Sequence, residues 1–362
     1  VNVVLVLGAG ATVSDVATRS ILVRPPLDRD FFKVAKRASP TRTKDVAAYM
    51  ASVYESDIFA PAEDSLERVM GQIYTDTFNP GLEDKATDAF QALLRLFTRR
   101  IADTTNQLRP TIRRLLYRIL VSYLEAHVRP EQITIITYNQ DLQAEKTLCL
   151  MSEAKRWGPM AERIFNFPGC YALGEKRVTK PTTKTPSREL FRVTEPATDS
   201  IRVLKLHGSL NWYSSHSTQD PSPAEMFDPS RELGITRRRI IPPDMTISGQ
   251  QASHALPVVV PPVTHKSSVL HDDLKELWRL AEDALEGADE IVIFGYSCPP
   301  LDFESANQLR RASREHNAKV AVIDPDGQIA ARYIQLMSPD GLAYFKSAQA
   351  FLRDRRQQQS RL

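Results

Sequence analysis

The sequence predicts an α/β fold, a Rossmann-like, doubly wound parallel sheet with an inserted helical lobe. Three observations carry this. Val3 to Leu7 is a continuous apolar, β-branched run that ends directly on Gly8-Ala9-Gly10, as expected of a central parallel strand entering a tight turn. From Phe31 to about Val128 no stretch has strand character, while apolar residues recur at helical spacing. The last third alternates regularly. It runs from helix (His271 to Leu285) to strand (Glu290 to Phe294), turn (Gly295-Tyr296-Ser297), helix (Phe303 to His316), strand (Lys319 to Ile323) and a turn at Asp324 to Gly327 that leads into another helix. That order is two successive units of a parallel sheet.

Composition sets bounds. With 362 residues the chain exceeds the size at which one core usually stops growing, so it is expected to carry an insertion or a second lobe. We divide it into a sheet domain (1–30 and 129–340), a helical insertion (31–128), and a C-terminal helix with a basic tail (341–362). A net charge of +3 is too small to argue for nucleic acid. Cys149, Cys170 and Cys298 are far apart and odd in number, without disulfide or zinc spacing. A reducing cytoplasm and no metal are expected. No apolar run reaches membrane-spanning length, and Val1 to Leu7 is too short and lacks the basic start of a signal peptide.

In chain order, Gly8-Ala9-Gly10-Ala11-Thr12 allows a tight turn and close backbone approach to a pyrophosphate, with a helix N-terminus facing it. Val13 breaks the full dinucleotide pattern, so by itself the stretch equally suits a plain strand–turn–helix. Pro25 to Phe32 reads as a loop entering a helix that Asp28 or Asp30 can cap. Ala86 to Ile101 is helical. A second helix is expected to start near Pro110 with Ile112, Leu115, Leu116, Ile119, Leu120 and Tyr123 on its apolar face.

Ile133 to Thr137 is the next strand, and it delivers Asn139 and Asp141 at its carboxyl end, where such residues also serve plain turn chemistry. Glu145 to Trp157 has helical patterning. Phe165 to Pro196 and His216 to Gly249, with the Arg237-Arg238-Arg239 cluster, read as irregular. Between them Ile201 to Leu206 is a buried strand ending on His207-Gly208, which places an imidazole where open α/β sheets bind ligands. Pro257 to Pro262 is a short strand, and the tail from Arg353 is expected to fray.

Five of these stretches occur in the order of a known nucleotide-binding core: Gly8-Ala9-Gly10-Ala11-Thr12, Thr137-x-Asn139-x-Asp141, His207-Gly208, Gly295-x-Ser297 and Asp324. Together they resemble the NAD-binding core of the sirtuins. Leu206 to Trp212, Pro261-Pro262-x-x-x-Lys266 and Phe294-Gly295-Tyr296-Ser297-x-Pro299 resemble more closely the bacterial sirtuin-like antiphage defence proteins that hydrolyse NAD. The resemblance spans scattered segments from Val3 to Asp324, outside the helical insertion.

The resemblance implies that Gly8, Ala9, Gly10 and Thr12 hold the pyrophosphate of NAD, that Asn139 stands by the nicotinamide ribose, and that Asp141 meets the nicotinamide carboxamide. It implies His207 as general base, with Gly295, Ser297 and Asp324 on the adenosine side. NAD is then the substrate and no cofactor is needed. Asp324 departs from the Asn that many sirtuins carry there. The paired cysteines of the deacylases' zinc module, expected soon after His-Gly, are absent. This favours NAD hydrolysis over protein deacylation or ADP-ribosyl transfer. A non-catalytic NAD or ADP-ribose sensor is the reading from a different class. The same resemblance implies a homo-oligomer, or a partner such as a HerA-like ATPase or an Argonaute-like protein, in abortive antiviral defence.

Overall fold

The computed structural model describes residues 1–14, 30–38, 40–41, 43–59, 65–107, 111–167, 169–177, 189–193, 199–216, 235–240, 255–260, 272–299, 302–316, 318–337 and 341–360. Strand β1 (Val3–Leu7) is buried at every position and leads into the short helix α1 (Ala9–Ser14). Helices α2 (Phe31–Ala38), α3 (Lys44–Tyr54), α4 (Leu66–Asp76), α5 (Glu83–Gln107) and α6 (Leu115–Glu125) precede β2 (Ile133–Thr137). Next come α7 (Gln143–Ser152), α8 (Ala161–Ile164) and the strands β3 (Leu173–Arg177), β4 (Glu189–Val193), β5 (Arg202–Lys205), β6 (Gly208–His216), β7 (Ile235–Ile240) and β8 (Ala255–Val259). The chain closes with α9 (Asp272–Glu286), β9 (Glu290–Phe294), α10 (Phe303–His316), β10 (Lys319–Ile323), α11 (Gly327–Met337), β11 (Leu342–Phe345) and α12 (Ala348–Gln359).

Six parallel strands form the main sheet in the order β11-β10-β9-β1-β2-β5. Within this sheet the chain builds outward from β1 to β5 and then returns to β9 on the other side of β1. This is the doubly wound arrangement, with its switch point between β1 and β9. Register positions the site. Leu7 stands opposite both Thr137 and Phe294, Thr137 opposite Lys205, and Phe294 opposite Ile323. The residues that follow, Gly8, Tyr138, Leu206, Gly295 and Asp324, therefore emerge along one edge of the sheet.

Three expectations are corrected. The segments read as irregular contribute β3, β4 and β7 to a second, five-stranded sheet, β3-β4-β7-β6-β8, in which β6 runs antiparallel to β7 and β8. Their sequences concealed this: Ile235–Ile240 is ITRRRI and lacks the apolar alternation by which a strand is recognised.

The basic tail is not frayed through Gln359. Helix α12 buries Phe351 and Leu352, Arg355 Nη1 donates to Glu290 Oε1 and Oε2 at 2.9 and 3.1 Å, and its guanidinium lies 3.7 Å over the Tyr123 ring. The 341–362 segment also supplies β11 to the main sheet. Helix α6 is tied to the sheet layer, since the Tyr123 hydroxyl donates to Glu290 Oε1 at 2.7 Å. Helix α6 starts at Leu115, leaving Ile112 65% exposed and off its apolar face. Position 110, where a start was expected, lies outside the described residues, as do Pro25 to Arg29, Pro261-Pro262 and Lys266.

The helices between α2 and α5 pack through buried apolar residues such as Phe31, Met50, Ile73 and Phe90. The Asp76 carboxylate accepts from the hydroxyls of Tyr49 and Tyr54 at 2.7 and 2.6 Å, tying α3 to the end of α4.

Candidate functional site

The glycines of the first turn are needed for contact with a second turn. Gly10 N donates to the Gly295 carbonyl at 2.8 Å, and Gly8 N to that of Phe294 at 3.2 Å. A Cβ on Gly8 would lie 2.5 Å from the Gly295 oxygen and from Tyr296 Cα, and one on Gly10 would lie 2.8 Å from Gly295 Cα. Gly295 has φ +61°, a left-handed conformation that glycine adopts without penalty. The close backbone approach that these glycines allow is made here between the ends of β1 and β9. Ala9 points to solvent as an exposed residue.

Beside this contact the ends of β1 and β2 are joined by side chains. Thr12 Oγ1 donates to Asp141 Oδ2 at 2.7 Å, and Asn139 Nδ2 donates to the Gly8 carbonyl at 2.8 Å and to Thr12 Oγ1 at 3.3 Å. Gln143 N donates to Asp141 Oδ1 at 3.0 Å, so the same carboxylate also satisfies the first amide of α7. Thr12, Asn139 and Asp141 line one cleft with Leu7, Ala11 and Gln143.

His207 follows β5 and is 8% exposed. Its carbonyl accepts from Val260 N at 2.9 Å, and its ring meets Tyr138 edge-on at 5.3 Å between centroids, with Trp278 at 6.1 Å. Trp278 Nε1 donates to the Leu206 carbonyl at 3.1 Å, holding the His207 turn against α9. Tyr138 in turn stacks on Tyr296 at 4.1 Å. The ring chain His207–Tyr138–Tyr296 thereby connects the turns after β5, β2 and β9.

Burial, and next the charge of Asp302, holds both phenols well above the usual tyrosine range, so both remain protonated. The Tyr296 hydroxyl donates to Asp302 Oδ2 at 2.7 Å.

Gly8, Gly10, Thr12, Asn139, Asp141 and Gly295 are thus brought together by direct contacts, and His207 joins them through Tyr138. Ser297 and Asp324 stand further along the edge. Ser297 is exposed, and its carbonyl accepts from Arg332 Nη1 at 2.8 Å. Asp324 Oδ1 accepts from Asp326 N at 2.9 Å, closing the turn into α11.

Sequence reasoning missed a buried polar group beneath the site. Lys205 and Glu145, each fully buried, form an ion pair at 2.9 Å, and Lys205 Nζ also donates to the Asp141 carbonyl. Tyr171 OH donates to Glu145 Oε1 at 3.0 Å, and Asn211 Nδ2 donates to the Tyr171 oxygen at 3.0 Å. The available signal was a lysine inside the apolar run Val203 to Leu206: a charge there demands a buried partner.

No family model matches this chain, and no curated protein matches it.

What the site can do follows from its chemistry. It presents a carboxylate, an amide and a hydroxyl fixed to one another in a cleft at the ends of β1 and β2, with an imidazole on the adjoining strand end. Such groups suit recognition of a polar ligand and movement of a proton. Among the described residues no group of three or more His, Cys, Asp or Glu could hold a metal ion, and no helix is long and apolar enough to cross a membrane. Cys149, Cys170 and Cys298 form no disulfide, and burial raises the Cys170 thiol well above the usual range.

Proposed function

We propose that this chain is an NAD glycohydrolase, cleaving NAD to nicotinamide and ADP-ribose. One observation carries the reading: the Thr12–Asp141–Asn139 bond set stands at the ends of β1 and β2, next to the switch point, with His207 on the next strand end. In the proposed reaction the bond between ribose C1′ and the pyridinium nitrogen breaks, and nicotinamide leaves with the electron pair. A water attacks C1′, and its proton passes to His207, a neutral imidazole near pH 7 being able to accept it. Asn139 uses Nδ2 to hold Gly8 and Thr12, so its Oδ1 is left to accept from a ribose hydroxyl or the water. The Asp141 carboxylate opposes the positive charge that builds on the ribose as the bond breaks. NAD is the substrate and no further cofactor enters.

The test is to incubate the purified protein with NAD, with and without the products of neighbouring genes, and to measure free nicotinamide and ADP-ribose. Equimolar release of both supports the proposal, and none under any of these conditions defeats it. The enclosure of His207, 8% exposed between Tyr138 and Trp278, favours a second reading, a sensor that binds NAD or ADP-ribose without cleaving it. Saturable binding with no nicotinamide release would support that alternative. We further propose that turnover is set by assembly, as a homo-oligomer or with a HerA-like or Argonaute-like partner in antiviral defence. Full turnover by a strictly monomeric chain in light scattering would contradict this.

A further inference from the structure

Gln143 is the first residue of α7 and is 7% exposed. Its side-chain Nε2 is buried and has no hydrogen-bond partner. An amide N–H left in that state is costly, so its retention at a cleft calls for a use. The side chain lines the same cleft as Thr12, Asn139 and Asp141, with Leu7, Leu116 and Ala144 among the apolar lining.

The Asp141 carboxylate beside it is only partly saturated. Oδ1 takes the Gln143 N–H and Oδ2 takes the Thr12 hydroxyl, while each carboxylate oxygen can accept twice. Asp141 and Gln143 both line the cleft, which thus pairs an acceptor of spare capacity with an unused amide donor between apolar walls. Their complement is a flat ring bearing a primary carboxamide, with its N–H turned to Asp141 and its carbonyl to the Gln143 amide. A carboxylic acid in the same place would set a second negative charge against Asp141.

We propose that Gln143 is a specificity residue that receives the carboxamide carbonyl of the substrate's pyridine ring. This deepens, and rests on, the NAD reading of the site. The test is equilibrium binding of three small probes, nicotinamide, 3-acetylpyridine and nicotinic acid, to the full chain and to Gln143→Leu and Asp141→Asn. 3-Acetylpyridine keeps the carbonyl and lacks the amide N–H. Gln143→Leu is expected to weaken nicotinamide and 3-acetylpyridine alike, by roughly 5- to 10-fold, the loss of one neutral hydrogen bond. Asp141→Asn is expected to weaken nicotinamide more than 3-acetylpyridine, and nicotinic acid is expected to bind the wild type least.

Gln143→Met, with a side chain of similar length, repeats the measurement should the leucine variant fail to fold. Unchanged nicotinamide affinity in a folded Gln143 variant overturns the assignment, as does a wild type that binds no pyridine carboxamide. A wild type that binds nicotinamide but releases none from NAD sinks the hydrolase reading alone, and the Gln143 result still stands on binding.

Discussion

The Thr12 hydroxyl donates to the Asp141 carboxylate at 2.7 Å, although the two residues are 129 positions apart in the chain. Both are buried, at 4% and 8% exposure, so the bond is shielded from competition by water. It fixes the turn after β1 to the turn after β2. Thr12→Val keeps the shape and removes the donor. The expected result is a folded protein, destabilised by about 1–3 kcal/mol, whose nicotinamide release falls at least several-fold because Asp141 and Asn139 lose their common anchor. Thermal denaturation and a nicotinamide assay read the two effects separately, and full turnover in the variant would remove Thr12 from the site.

His207→Ala and Asn139→Ala are each expected to lower NAD cleavage by about 100-fold or more, the usual range for loss of a positioned proton acceptor or its companion. Circular dichroism should show both variants folded. Wild-type turnover in either one would end its assignment, and loss of folding would reassign the residue to the structure.

Gly295→Ala places a Cβ against the Ala11 nitrogen and the Gly10 carbonyl carbon on backbone at φ +61°. Its cost is expected to exceed the roughly 1–2 kcal/mol of left-handed backbone alone. Gly341 is the control, because an added Cβ there meets nothing within 4 Å. Comparing melting temperatures decides it: a Gly295 variant as stable as Gly341→Ala would contradict the interlocked turns.

Lys205→Met strands the fully buried Glu145 carboxylate and is expected to cost about 3–5 kcal/mol. Adding Glu145→Gln should recover most of that, since the amide oxygen still accepts from Tyr171 and no charge remains unpaired. Chemical denaturation of the single and double variants measures this, and a double variant no more stable than Lys205→Met would refute it.

Alkaline stability should be governed by buried phenols. Burial is the largest cause raising Tyr138, Tyr171, Tyr296 and Tyr333 well above the usual value of 10.0, and burial with Asp76 pushes Tyr54 up to about 12. A folded-state pKa above the unfolded one favours the fold while the phenol is protonated in both states. That contribution is complete below about pH 10 and is lost as pH rises through the folded-state values. Tyrosinate absorbance and loss of far-ultraviolet dichroism are therefore expected to rise together above about pH 10. Smooth titration of these residues in a protein that stays folded would count against the buried assignments.

The main sheet was legible because its strands carry their own signal. Val3–Leu7, Ile133–Thr137, Glu290–Phe294 and Lys319–Ile323 are apolar, β-branched runs covered on both faces, and each appears with the bounds read from the sequence. Gly8, Asn139 with Asp141, and Gly295 follow three of these strands and His207 follows β5, and the order of these motifs along the chain is what marked them in the sequence. The second sheet had no such signal. Ile235–Ile240 is mostly arginine and threonine, and its strand character depends on pairing with Trp212 to His216 rather than on its own pattern.

The sequence by itself determined the doubly wound sheet and which polar residues stand at its strand ends, since apolar runs and the turns that stop them are local in the chain. Only the tertiary structure decided which of those residues touch. Thr12 bonds Asp141, Lys205 meets Glu145 under the site, Gly295 fills the space that Gly8 and Gly10 leave, and Gln143 is left with an unused donor. Apart from Gln143, whose place in the cleft is set by how α7 packs, these are contacts between segments distant in sequence. They depend on strand register and on the burial that makes each polar partner obligatory, and neither is encoded in any one stretch.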